Sequence, residues 1–225
     1  MYFRERKIRL FIYSIFYLLI VCFLSSCSHP LEVKNLHSYS STSFNTLEKK
    51  ISIGIISTSN DIYAKRVLRE VATGLSKYSA KVVYPYHPGG NKNVDYLAKI
   101  SVIPEYKGSG LNFLINWPGF IVFAPAWNGY IYEVNYYIDA NIIRASDKKE
   151  ITTLKIPVKL DVRHASFNRT WTEISWFEVS AIAFVGGIIF TQYDNSVTPL
   201  VIEKVESQLG DYIAQEMVSS IKSFY

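Results

Sequence analysis

"YIYEVNYYIDANIIRASDKKEITTLKIPVKLDVR" runs from residue 130 to 163. Tyr130, Tyr132, Val134, Tyr136, Ile138, Ala140 and Ile142 alternate with Glu133, Asn135, Asp139 and Asn141. That period of two predicts a long strand with one apolar and one polar face. "SDKK" (146–149) reads as a turn. Beyond it Leu154, Ile156, Val158, Leu160 and Val162 point one way, and Lys155, Lys159, Asp161 and Arg163 the other. A long antiparallel hairpin follows, with carboxylates and cations paired across its polar face. Pro157 cannot donate to a ladder and predicts an edge strand or a bulge.

Working outward, "KISIGIIS" (50–57) reads as a buried strand, and "STSND" after it as a helix cap. Val67, Leu68, Val71, Ala72 and Leu75 recur at helical spacing. "KVVYPY" (81–86) is a further strand, and 96–106 alternates again through Ala98, Ile100 and Val102. Thr198 and Pro199 open a last helix whose stripe is Val201, Val205, Leu209, Tyr212, Ile213, Met217 and Ile221. The expected fold is therefore α+β. It is a two-layer sandwich with a mainly antiparallel sheet of about five strands, two packed helices and two apolar insert segments.

Those inserts flank the hairpin. Residues 108–132, around "NWPGFIVFAPAW", carry no charged side chain, and neither do 179–193. Pro118, Gly119 and Pro125 would break a spanning helix, and Asn112 and Asn116 would need partners in hydrocarbon. "GFIVFA" lacks the alternation of a channel strand. Two readings remain for 108–132: a broken helix packed into the core, or a segment that meets the membrane interface or a partner. Thr170 and Glu173 are spaced as a capping box, which favours a helix in the second segment. The rival there is a hairpin turning at Gly186-Gly187. The candidate membrane or partner contacts are Trp117, Phe120, Ile121, Phe123 and Trp127 in the first segment. In the second, between Trp171 and Phe190, they are Trp171, Trp176, Phe184 and Phe190.

The first residues read as an address rather than as fold. Arg4, Arg6, Lys7 and Arg9 precede the apolar "LFIYSIFYLLIVCF" (10–23), and "LSSC" (24–27) follows. "LSSC" resembles the lipobox of bacterial lipoproteins. The resemblance implies a signal peptide over 1–26, lipid on Cys27, and a membrane held through that lipid. With Ser28 rather than Asp after the cysteine, it further implies the outer membrane of a Gram-negative host. Residues 27–48 are then expected as lipidated cysteine and flexible tether, and 49–225 as a single domain. The order of elements also resembles envelope lipoproteins such as the curli-secretion channel and the activators of penicillin-binding proteins.

Charge and chemistry narrow the classes. The net charge of +5 falls to 20 basic against 18 acidic residues once 1–26 are set aside, and no basic run tracks a phosphate backbone. No nucleic acid is expected. The two cysteines are Cys22 and Cys27, so the domain after them has no thiol and no disulfide framework. His29, His37, His87 and His164 have no second His or Cys at ligand spacing, and Ser166 near His164 lacks an oxyanion motif. No metal, cofactor or catalytic residue is expected. The sequence points to a non-enzymatic lipid-anchored envelope protein acting by protein or membrane contact, with an envelope partner or self-association. The alternative is an oligomeric export pore that inserts its apolar segments.

Overall fold

Strand β2 (Ile51–Ser57) is apolar on both faces, and Ile51, Ile53 and Ile55 are buried. A helix, α1 (Ile62–Lys77), starts directly after it because Asp61 accepts a hydrogen bond from the Ala64 N–H. In the computed structural model, residues 13–15, 17, 29–40, 51–78, 80–89, 93–117, 119, 124–166 and 186–224 are described. Their elements begin with β1 (His29–Val33), a 3₁₀ turn (Leu36–Tyr39), β2, α1, β3 (Ala80–Val83) and β4 (Tyr96–Gly108). Two short helices follow, α2 (Leu111–Asn116) and α3 (Ala124–Asn128), then β5 (Tyr130–Arg144) and β6 (Glu150–Ala165). After helical residues 186–190 come a 3₁₀ turn (Asn195–Val197) and α4 (Thr198–Lys222).

Six strands form one sheet in the order β1-β6-β5-β4-β2-β3. β2 runs parallel to both β3 and β4. β5 and β6 are neighbours joined by residues 145–149, too short for a parallel return, so they run antiparallel. The α+β sandwich is as expected, but the sheet is mixed, with six strands instead of about five. The missed feature is the first crossover: β2, α1 and β3 form a βαβ unit, whose strands must be parallel.

The chain divides into two compact units. The larger comprises Val33–Lys107, Glu133–Val162 and Asp194–Tyr225. The inward side chains of its strands are those the alternation marked: Val134, Tyr136, Ile138, Ala140 and Ile142 on β5, and Ile156, Val158, Leu160 and Val162 on β6. α1 and α4 pack directly on each other. Gly210 makes this possible, since a Cβ there would overlap Cβ of Glu70 and lie 2.6 Å from its backbone carbon. Arg66 grips Glu206 through two bonds of 2.8 Å, and Lys77 reaches both oxygens of Asp211. At α4's start the N-cap position falls on Val197, one residue before the expected Thr198, and Asp194 caps the preceding 3₁₀ turn through the Ser196 N–H.

Part of the expected tether is built into the structure. In the larger unit, the Lys34 N–H bonds the Asp161 carbonyl. The Asn35 side chain then imitates a strand, donating to the Lys159 carbonyl (2.7 Å) and accepting from the Asp161 N–H (2.9 Å). The Tyr39 hydroxyl both donates to and accepts from Lys159. A polar, aperiodic stretch gave no sequence signal for this, because the bonds use side chains where a ladder would use backbone. They also explain Pro157. Lys159 and Asp161 turn their backbone groups to this edge, and by the period of two residue 157 faces it as well. Pro157 thus lies on the side of β6 that faces away from β5, although β6 is not the outermost strand, since β1 lies beyond it.

Candidate functional site

The smaller unit comprises Met1–Glu32, Gly108–Tyr132 and Arg163–Tyr193, and so holds both charge-free segments. Its first segment is a broken helix, not a spanning one. α2 stops at Asn116 because Trp117 precedes Pro118, and the clash with a following proline drives it to extended backbone (φ −138°, ψ 120°). α3 resumes at Ala124, with Pro125 in its first turn, where a missing N–H costs nothing.

α2 is built inside out. Asn112, Ile115 and Asn116 share its buried face, while Leu111 and Leu114 on the other side are each 57% exposed. The buried asparagines are satisfied within the unit. Asn112 donates to the Ile131 carbonyl (2.9 Å) and accepts from the Ile131 N–H (2.7 Å). Asn116 Oδ1 accepts from the Tyr130 hydroxyl. An isolated amphipathic helix in water would put its leucines inward and its asparagines outward. Full burial of a leucine is worth about 1.5–3 kcal/mol, so leaving two of them half in water forfeits stabilisation that this helix could otherwise have had.

The second segment packs against the first. A Cβ on Gly187 would lie 2.9 Å from the Phe113 ring, so the backbone of 186–190 rests on α2. Phe190 stacks on Tyr130 at 5.1 Å, and Tyr193 meets Tyr132 edge-on. Gly108 lies against the backbone of Thr191 and Gln192, too close for any Cβ. Gly186 and Gly187 are in a helix, which overturns the hairpin-turn rival.

Of the expected contact residues, Trp127 points outward, 72% exposed. Trp117 is half-buried and meets the Phe113 ring. Phe190 is only 4% exposed and belongs to the interior of its unit, a correction caused by its stacking on Tyr130. Phe120, Ile121, Phe123, Trp171, Trp176 and Phe184 lie outside the described residues, as does the capping box at Thr170 and Glu173. The outward apolar residues that aromatic content did not single out are Leu111, Leu114, Ile188 and Ile189, the last two 50% exposed. The signal that marks the two leucines is inverted spacing: asparagines four apart within an apolar run, with leucines on the opposite side.

α2 touches α3 and the 186–190 helix, so three short helical pieces of one unit carry these side chains. No helix among the described residues is long and apolar enough to cross a membrane. Nor does any group of three or more His, Cys, Asp and Glu among them stand in position to hold a metal ion. Charge is placed elsewhere. On the larger unit, Lys159 pairs with Glu133 across β6 and β5 at 2.6 Å, the cross-strand pairing expected from the polar face. Hydrogen bonds from Lys159 and then Asn135 hold the Glu133 carboxyl below its ordinary pKa.

No family model matches this chain, and no curated protein does. Among solved structures it is similar to a minor lipoprotein from Acinetobacter baumannii, at 10% identity and a TM-score of 0.40, covering 77% of this chain and 94% of that one. It is similar to the rare lipoprotein B from Shewanella oneidensis, at 16% identity and 0.40, covering 77% and 98%. It is also similar to the PelC dodecamer from Paraburkholderia phytofirmans, at 11% identity and 0.25, covering 80% and 98%. No residue role passes from them to this chain.

Proposed function

We propose that this is a non-enzymatic, lipid-anchored protein of the cell envelope that acts by contact, as a scaffold or assembly factor. One observation carries the contact function: α2 turns Leu111 and Leu114 outward and buries Asn112 and Asn116. Such an arrangement persists because the asparagines are bonded inside and the leucines have a use outside. The anchor rests on the "LSSC" motif at 24–27 after its apolar run. With Ser28 next to the cysteine, the outer membrane of a Gram-negative host is the proposed location. Within the two apolar segments Leu111–Asn116, Ala124–Asn128 and residues 186–190 are helical, which favours contact over a pore made of strand hairpins.

Two measurements test this. Palmitate labelling should mark the wild-type chain and not Cys27→Ser, and the variant should leave the membrane fraction or weaken its hold there. An unlabelled wild-type chain would refute the anchor. A Leu111→Asn, Leu114→Asn chain should keep its Tm within a few degrees yet match a gene deletion in sensitivity of cells to detergent. Full complementation by that folded variant would refute the contact function.

A further inference from the structure

The apolar surface of the smaller unit has an occupant whose identity follows from where the chain enters that unit. β1 begins at His29, and a single residue, Ser28, separates it from Cys27. Two residue steps reach no more than about 7.6 Å. His29 itself is seated in the smaller unit: a Cβ on Gly129 would fall 2.7 Å from its Cδ2 and 3.0 Å from its Cγ, so the imidazole lies on the Gly129 backbone. Gly129 is two residues beyond the exposed Trp127. A lipid on Cys27 would therefore be tied, two residues away in sequence, to a residue of the unit that carries the outward leucines and isoleucines.

We infer that the bilayer itself covers Leu111, Leu114, Trp127, Ile188 and Ile189, with this unit lying in the interface of the leaflet that holds the Cys27 lipid. The inference rests on the lipid anchor proposed above. Its chemistry is consistent. Segments 108–132 and 186–193 carry no charge to desolvate, and a side chain of Trp127's kind favours the boundary between headgroups and acyl chains. Side chains on short helices reach roughly 5–10 Å into that boundary without spanning it. Without charge on the surface, attachment does not depend on anionic lipid or on ionic strength.

The test uses the full-length chain, purified from membranes and reconstituted in phosphatidylcholine vesicles, in a Cys22→Ser background. An environment-sensitive fluorophore is placed through Leu114→Cys, Ile188→Cys or Trp127→Cys, all exposed positions. Ile103→Cys, on an equally exposed residue of the larger unit, is the control. Labels at 114, 127 and 188 are expected to lose at least half their emission to nitroxide on the acyl chains and little to aqueous iodide, and the label at 103 to do the reverse. The same pattern is expected at 0.1 and at about 1 M salt. Iodide quenching at all four positions overturns the inference. So does shielding of 114, 127 and 188 from both quenchers, which means that a protein partner or a second copy covers them. The mass of the N-terminal peptide reports the anchor separately. An unmodified Cys27, with the labels repeated in Cys27→Ser and still quenched by acyl nitroxide, removes the anchor and keeps the contact. An acylated Cys27 with iodide quenching at 114 and 188 keeps the anchor and removes the contact.

Discussion

Replacing Asn112 by leucine should destabilise the smaller unit, although the substitution puts an apolar residue at a fully buried site within an apolar run. Asn112 Oδ1 accepts from the Ile131 N–H at 2.7 Å, while its Nδ2 shares the Ile131 carbonyl with the Ser109 N–H. In Asn112→Leu the carbonyl keeps Ser109, but the N–H loses this acceptor. A donor stranded away from water costs about 1–3 kcal/mol and the second lost bond about 1 more, against roughly 2 gained if the leucine packs well. At the middle of that range the net is a loss of about 1 kcal/mol, and at its upper end about 2, or roughly fivefold and at most about thirtyfold faster exchange of the Ile131 amide where exchange proceeds by local opening. Hydrogen exchange followed residue by residue reads this directly. Asn112→Asp gives a second handle. It keeps the acceptor but sets a buried carboxylate beside a carbonyl, so its pKa in the folded state rises above the unfolded value near 3.9. The folded state then binds the proton more tightly, and that variant should be most stable below about pH 4 and lose stability as pH rises through the folded pKa. Unchanged protection of Ile131 in Asn112→Leu, or a gain in stability, would refute the inside-out account of α2.

Other outcomes follow from the larger unit. Glycine to alanine inside a helix ordinarily gains about 1 kcal/mol, but Gly210→Ala should lose about 1–3, because its Cβ would overlap the Glu70 backbone; urea denaturation gives the sign. Asn35→Ala should raise amide exchange at Asp161 and lower stability by about 1 kcal/mol, with the rest of the sheet still protected. Glu133, held below its ordinary pKa by Lys159, contributes stability that is present above about pH 4.3 and lost as pH falls further; in Lys159→Met that acid-side loss should shrink in a pH series of melts.

Much of this was legible. The alternation over 130–163 marked the inward residues of β5 and β6 correctly, since burial on one face leaves a period that local chemistry alone reveals. The helix stripes were equally plain. The parallel pairing of β2 was not, because apolar residues on both faces of "ISIGIIS" mark burial and leave strand direction open. The 34–39 segment stayed hidden because Asn35 and Tyr39 bond through side chains, which have no period. At the site, the prolines at 118 and 125 foretold a broken helix, and Trp127 does point outward. Orientation was the harder part. In a run that is apolar throughout, periodicity cannot say which side faces in, so neither the burial of Phe190 nor the exposure of Leu111, Leu114, Ile188 and Ile189 can be read from it.

The seal along β6 bears on how copies of the protein can meet. An open sheet edge is a template: a strand from another molecule docks by matching one outward N–H and C=O after another. Here the backbone groups of Lys159 and Asp161 are already occupied by the Lys34 N–H and the side chains of Asn35 and Tyr39, and the next outward position toward the hairpin turn is Pro157. A docking strand would meet no uninterrupted row along that stretch. Growth of one sheet into the next is blocked there by one backbone N–H, two side chains and one imino acid, and a crowded layer of such proteins would be spared edge-to-edge fusion at this point.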